Sequence, residues 1–125
     1  MTDSSDLIHI LEDKSKLANQ WGKWTNEELM ALYFNDDEIR KNRLKTRVDS
    51  LYVRILIKQE IIHKLGLDEQ WVKEMRFDRT NSGKPLLKLS DKLRQILDRK
   101  GFERIELSMS HSRTHLAAII ALIAK

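Results

Sequence analysis

From Asp36 to about Leu65 the chain contains neither glycine nor proline, while Leu44, Val48, Leu51, Ile55, Ile62 and Leu65 recur three, four or seven residues apart. The two residue types that most readily interrupt a helix are missing, and the apolar positions fall on one stripe of a 3.6-residue repeat. The pattern predicts one long amphipathic helix, capped by Asp36 or Asp37 and ended by Gly66 as the left-handed C' residue. Such a helix must lay its apolar stripe on something, and the rest of the chain offers short segments to receive it.

Upstream, Thr25-Asn26-Glu27-Glu28 reads as a capping box opening a short helix to about Phe34. Asp6 to Leu11 fits a strand or the start of a helix running to about Gln20, and periodicity leaves both open. Downstream, Trp71 to Phe77 predicts a strand, Asn81-Ser82-Gly83 a turn, and Pro85 to Leu89 an edge-compatible extended segment. Ser90 caps a helix over Asp91 to Lys100, closed by Gly101. Arg104 to about Ser110, with alternating Ile105, Leu107 and Met109, and about His115 to Ala124 read as two strands joined through Ser112-Arg113-Thr114. Helices followed by a strand–helix–strand–strand tail predict an α+β fold, a long helix packed on a small antiparallel sheet. No repeat or composition break marks a linker, so residues 1–125 are expected to form one domain.

Composition acts by exclusion. With 41% apolar and 34% charged residues the chain can bury enough surface to fold, and the lack of cysteine removes disulfides, thiolate chemistry and cysteine-ligated metals. The start Met1-Thr2-Asp3-Ser4-Ser5-Asp6 is unlike a signal peptide, and the longest apolar run, Leu116 to Ala124, is too short to cross a bilayer. A cytoplasmic protein with no membrane partner is the expectation. The net charge of +4 suits nucleic acid, phosphate-rich ligands or acidic proteins alike. The run Arg40-Lys41-Asn42-Arg43-Leu44-Lys45-Thr46-Arg47 is either a solvated face or a surface for ligand phosphates or an acidic helix. Nucleic acid is not the expected partner, because no helix-turn-helix or zinc-finger pattern accompanies the run. Trp21, Trp24, Trp71, Tyr33, Phe34 and Tyr52 read as core or subunit-contact residues.

The most specific pairing is the turn Asn81-Ser82-Gly83-Lys84-Pro85 with the later Ser108-Met109-Ser110-His111-Ser112. Each part has a plain structural reading: glycine for a positive φ, proline to stiffen entry into a strand, histidine to bond a backbone carbonyl. Together they resemble the Gly-Lys-Pro turn and Ser-x-Ser-His strand end of 4'-phosphopantetheinyl transferases of the holo-acyl-carrier-protein synthase type. On the long helix, Arg54-Ile55-Leu56-Ile57-Lys58-Gln59-Glu60-Ile61-Ile62-His63 before Leu65-Gly66 resembles that family's Arg-Phe-x-x-Lys-Glu-Ala-x-x-Lys sequence. The arginine, first lysine and glycine match in register; the metal-ligand glutamate falls on Gln59 and the second lysine on His63. At the N-terminus Ser5-Asp6-Leu7-Ile8-His9-Ile10 is similar to the family's Gly-Ile-Gly-x-Asp-Ile-Val-Glu-Ile, with Asp6 at the magnesium-binding aspartate and His9 at the second acid.

The resemblance implies transfer of 4'-phosphopantetheine from CoA to a serine of an acyl carrier protein, with magnesium on the diphosphate and a homo-trimer holding CoA between subunits. It implies Lys58 and Gln59 as catalytic positions, Asp6 and Gln59 as metal ligands, and Arg54, Lys84, Ser110, His111 and His63 as CoA-binding positions. Read without it, Arg54 and Lys58 form a solvated face balanced by Glu60 and Asp49. Glu60 projects about 100° from Gln59 on a regular helix and does not replace it. Gln59 and His63 also motivate an alternative: a non-catalytic relative serving as a carrier-protein or CoA-binding scaffold in fatty-acid or polyketide assembly.

Overall fold

The computed structural model describes residues 5–42, 48–79 and 81–125. In chain order these form β1 (Asp6–Asp13), α1 (Lys14–Trp21), α2 (Asn26–Tyr33), α3 (Asp36–Asn42), α4 (Val48–Lys64), a 3-10 turn (Glu69–Glu74), β2 (Met75–Arg79), β3 (Pro85–Leu89), α5 (Asp91–Arg99), β4 (Phe102–His111) and β5 (His115–Ala124). The long glycine-free stretch is represented by α3 and α4, and its continuity through 43–47 lies outside the described residues, as does most of its basic run.

Local capping sets most of the boundaries. Thr25 Oγ1 accepts from Glu28 N while Glu28 returns a bond to Thr25 N, the expected box at the start of α2. Ser90 caps α5 through Leu93 N. Gly66 ends α4 with φ of 72°, a conformation that costs any residue with a Cβ. The cap of α3 is neither Asp36 nor Asp37. Asn35 Oδ1 accepts from Glu38 N and Glu38 Oε1 accepts from Asn35 N, so a second capping box sits one residue earlier than the acidic pair suggested.

Two further expectations are resolved or corrected. The segment from Asp6 is a strand that hands over to α1 at Asp13, whose carboxylate accepts from Ser15 N. Trp71 opens no strand: Glu69 to Glu74 wind into the 3-10 turn, and β2 begins at Met75. Of the aromatic residues, Trp21, Phe34 and Tyr52 are buried, whereas Trp24 is exposed.

β1, β5 and β4 pair antiparallel in that order, and β2 pairs with β3 in a separate ribbon. The inner face of the larger sheet presents Ile10, Leu107, Leu116, Ala118, Ile120 and Leu122. Against it α4 lays Leu51, Ile55, Ile61, Ile62 and Leu65, packing on β5 and β1. The architecture is the expected helix on a small antiparallel sheet. Register places Asp6 opposite Leu122 and Leu122 opposite Ile105, while at the far end His111 lies opposite Leu116 and Leu116 opposite Glu12.

Candidate functional site

One turn of α4 separates two chemical environments. Leu56, Gln59, Glu60, His63 and Lys64 form its solvent-facing stripe; Arg54, Ile55, Lys58, Ile61 and Ile62 are buried. The solvated-face reading of Arg54 and Lys58 is therefore excluded. Lys58 has no exposed surface, and its Nζ lies 2.5 Å from Glu38 Oε1 and 2.9 Å from the Tyr33 carbonyl. The ammonium also sits 4.6 Å from the centre of the Phe34 ring. Burial pushes the Lys58 pKa down to about 8, and the neighbouring Glu38 carboxylate opposes that shift without cancelling it. Glu38 is itself fully buried and accepts from Phe77 N at 2.7 Å, so this one carboxylate joins α3, α4 and β2. Buried charges persist when they are paired and hydrogen-bonded, and both conditions hold here.

Arg54, one turn earlier, packs its guanidinium 5.5 Å from the Phe77 ring centre, and its buried Nε has no hydrogen-bond partner among the described residues. Burial, and then the nearby Arg79 charge, hold its pKa below the usual arginine value. Arg79 in turn donates to the Gly83 carbonyl at 3.3 Å, which links this region to the Gly83-Lys84-Pro85 turn.

On the solvent-facing stripe, Gln59 Nε2 donates to the Tyr33 hydroxyl at 3.4 Å, leaving the amide oxygen unspent in that contact. Burial, and secondarily the Glu69 charge, raise the Tyr33 pKa, so the hydroxyl stays protonated at neutral pH. Asp6 lies at the end of the stripe, where its carboxylate meets Lys64 Nζ at 3.3 Å. α4 is regular through Gln59 and Glu60, so Glu60 keeps its own direction and does not stand in for Gln59. Among the described residues no three His, Asp or Glu side chains gather as a metal cluster. Magnesium commonly takes one or two carboxylates and completes its shell with substrate phosphates and water. One carboxylate and one amide oxygen fit an ion delivered on a diphosphate and do not fit a free ion.

The second group of sequence candidates lies across the sheet. Gly83 holds φ of 86° and aims Lys84 and Pro85 into a groove of about 390 Å³, lined further by Glu106, Ser108, Met109 and Ile119. Ser108 and Ser110 both face outward from β4, and His111 ends the strand, exposed. Asp6 and His111 therefore belong to opposite ends of the sheet: six residues of strand at about 3.3 Å each put roughly 20 Å between them. A single chain brings Gln59, His63, Lys64 and Asp6 to one end and Ser110 and His111 to the other, with Lys84 between them beside Glu106 and Ser108.

Sequence reasoning missed Glu38, Tyr33 and Lys64. For Glu38 a local signal existed, the Asn35-x-x-Glu38 spacing of a capping box; for the other two none did, because their partners are distant in sequence or depend on the register of β1 against α4.

No family model matches the sequence. A curated relative, a holo-[acyl-carrier-protein] synthase of Treponema denticola, is 29% identical over 105 residues, covering 80% of this chain and 85% of that protein. Among solved structures, the holo-[acyl-carrier-protein] synthase of Neisseria meningitidis superposes with a TM-score of 0.75 at 17% identity, covering 95% of this chain and 96% of that one. The Helicobacter pylori holo-[acyl-carrier-protein] synthase in complex with coenzyme A gives a TM-score of 0.68 at 12% identity, covering 96% of this chain and 100% of that one. At such identities the structures speak for fold, and the motifs and the curated relative carry the likeness into sequence. This chain has the fold of the holo-[acyl-carrier-protein] synthases, the phosphopantetheinyl transferase type that its motifs resemble.

Proposed function

We propose that this chain transfers 4'-phosphopantetheine from CoA to a serine of an acyl carrier protein. The observation that carries the reading is the pairing, on this fold, of Lys84 and Pro85 of the Gly83-Lys84-Pro85 turn with Ser108 and Met109, the start of the Ser-x-Ser-His sequence, around one groove. In the reaction the carrier serine oxygen bonds to the β-phosphorus of CoA, the bond to adenosine 3',5'-bisphosphate breaks, and the serine proton is lost to solvent or a nearby base. Lys84 and His111, with Ser110, hold the CoA phosphates, and Arg54 supplies positive charge behind the turn. At the other end Asp6 and the Gln59 amide oxygen face the diphosphate, with His63 and Lys64 beside them. Magnesium carried on that diphosphate would offset its charge as the bisphosphate leaves. Lys58, wholly enclosed, acts from beneath: its pair with Glu38 fixes the turn of α4 from which Gln59 and His63 project.

Because Asp6 and His111 lie at opposite ends of one sheet, a complete site needs a second copy of the chain, and a trimer with CoA between subunits satisfies that need. A cytoplasmic location accords with a substrate such as CoA and with the lack, among the described residues, of any helix long and apolar enough to cross a membrane.

The Asp6–Lys64 pair and the amide at Gln59 favour one second reading, a non-catalytic relative that binds carrier protein or CoA. Purified protein with CoA, magnesium and the cognate apo carrier separates the two by intact mass. One added phosphopantetheine on the carrier is expected; a folded protein that binds the carrier and leaves it unmodified overturns the transferase reading and selects the second.

A further inference from the structure

Among the described residues, the outer face of the β1–β5–β4 sheet is an uncovered apolar surface. Leu7 is 63% exposed, Leu11 71% and Ile119 44%, and Ala117 and Ala121 lie half-buried between them. Ile119 and Ala121 also line the groove that receives Lys84, so this face is continuous with one half of the proposed site. A second copy of the chain is the occupant that both covers the face and completes the site.

His9 stands in the middle of it. Strand alternation puts its side chain on the outer face, flanked by Leu7 and Leu11 along β1 and opposite Ile119 on β5. β5 contributes only Ile119, Ala117 and Ala121 around it, and no carboxylate. Beyond β5, β4 presents Ser108 level with His9, with Ser110 and Glu106 to either side, and Glu106 is engaged by Arg104. The next acid on this face of β1, Asp13, caps α1. Among the described residues, then, the imidazole has apolar neighbours and no facing anion.

We propose that His9 makes self-association of this chain, and with it assembly of the shared site, sensitive to pH; the proposal rests on the shared-site reading above. A neutral imidazole enters an apolar seam at modest cost, whereas an imidazolium loses its hydration there without a counter-charge. Protons therefore bind the separated chains better than the assembled ones, and acidification through the ordinary histidine range drives dissociation. Lowering pH from 8 to 5.5 is expected to weaken association on the order of tenfold for each imidazole buried.

Light scattering of the full chain across a dilution series, at pH 8 and pH 5.5 and constant ionic strength, tests this with wild type and His9→Gln. Wild type is expected to shift its association midpoint to higher concentration at pH 5.5 by at least tenfold, while His9→Gln keeps one midpoint at both values. An unchanged wild-type midpoint, or an equal shift in His9→Gln, overturns the role of His9 while leaving the shared site standing. A monomer at every concentration at pH 8 overturns the shared site and the switch together.

Discussion

The two ends of the larger sheet are built on different principles. At the Asp6 end the site residues stand on a helix braced by a buried charge pair, Lys58 with Glu38, which also holds Tyr33, Phe77 and the start of α3. At the His111 end they stand on an exposed strand terminus, and Lys84 stands on an exposed turn beside the middle of the same strand. The braced end is where the chain departs from the resembled motif, at Gln59 and His63; the exposed turn and strand terminus keep Gly-Lys-Pro and Ser-x-Ser-His intact. Rigid support beneath a position leaves its solvent-facing side chain free to change without endangering the fold, whereas a turn that must carry a positive φ tolerates little.

The largest effects should therefore lie beneath the braced end. Lys58→Met leaves the Glu38 carboxylate buried without its counter-ion and is expected to cost about 3–5 kcal/mol, read from the urea midpoint. A loss below about 1 kcal/mol would show that the pair does not brace α4. Next comes pH. The folded-state pKa of Lys58, at about 8, is below its unfolded value of 10.5, so between the two the unfolded chain binds more protons and stability rises with pH. Relative to Lys58→Met, the wild type should gain about 2 kcal/mol from pH 7 to 9.5. A flat difference across that range would contradict burial of the ammonium.

Above the brace, effects should appear in binding and turnover with stability unchanged. Restoring a carboxylate and an ammonium together, Gln59→Glu with His63→Lys, is expected to lower the magnesium needed for half-maximal CoA binding on the order of tenfold, measured by titration calorimetry. An unaltered metal requirement would remove Gln59 from the diphosphate end. In the exposed turn, Gly83→Ala meets no steric obstacle at the new Cβ, so its cost is the positive φ alone, about 1–2 kcal/mol. Ser110→Ala, on an exposed strand end, should change stability by less than about 0.5 kcal/mol and be seen in CoA affinity instead.

The fold was legible where near neighbours decide it. The Thr25 and Ser90 caps, the Gly66 stop and the alternation of β4 and β5 each rest on contacts within a few residues. The α3 cap went to Asn35 because three adjacent polar residues compete and only the reciprocal bond with Glu38 separates them. Trp71 suggested a strand by propensity, but the chain after Asp68 closes a 3-10 turn before the strand can begin. For the site, the motifs named the residues and register on α4 named the departures. What the motifs could not carry was Lys58 meeting Glu38, twenty residues away, or the 20 Å that separates Asp6 from His111, since both depend on tertiary register.

That separation makes the shared site the claim on which the account turns, and complementation tests it directly. Asp6→Ala and His111→Ala each damage one end, so either protein alone should be nearly inactive in carrier modification. Co-expressed with distinct tags and purified as mixed oligomers, they should regain roughly a quarter of wild-type activity, since random neighbours place an intact Asp6 end against an intact His111 end about once in four contacts. Mixed oligomers as inactive as their parents would mean that each chain builds its own site, and would contradict the account.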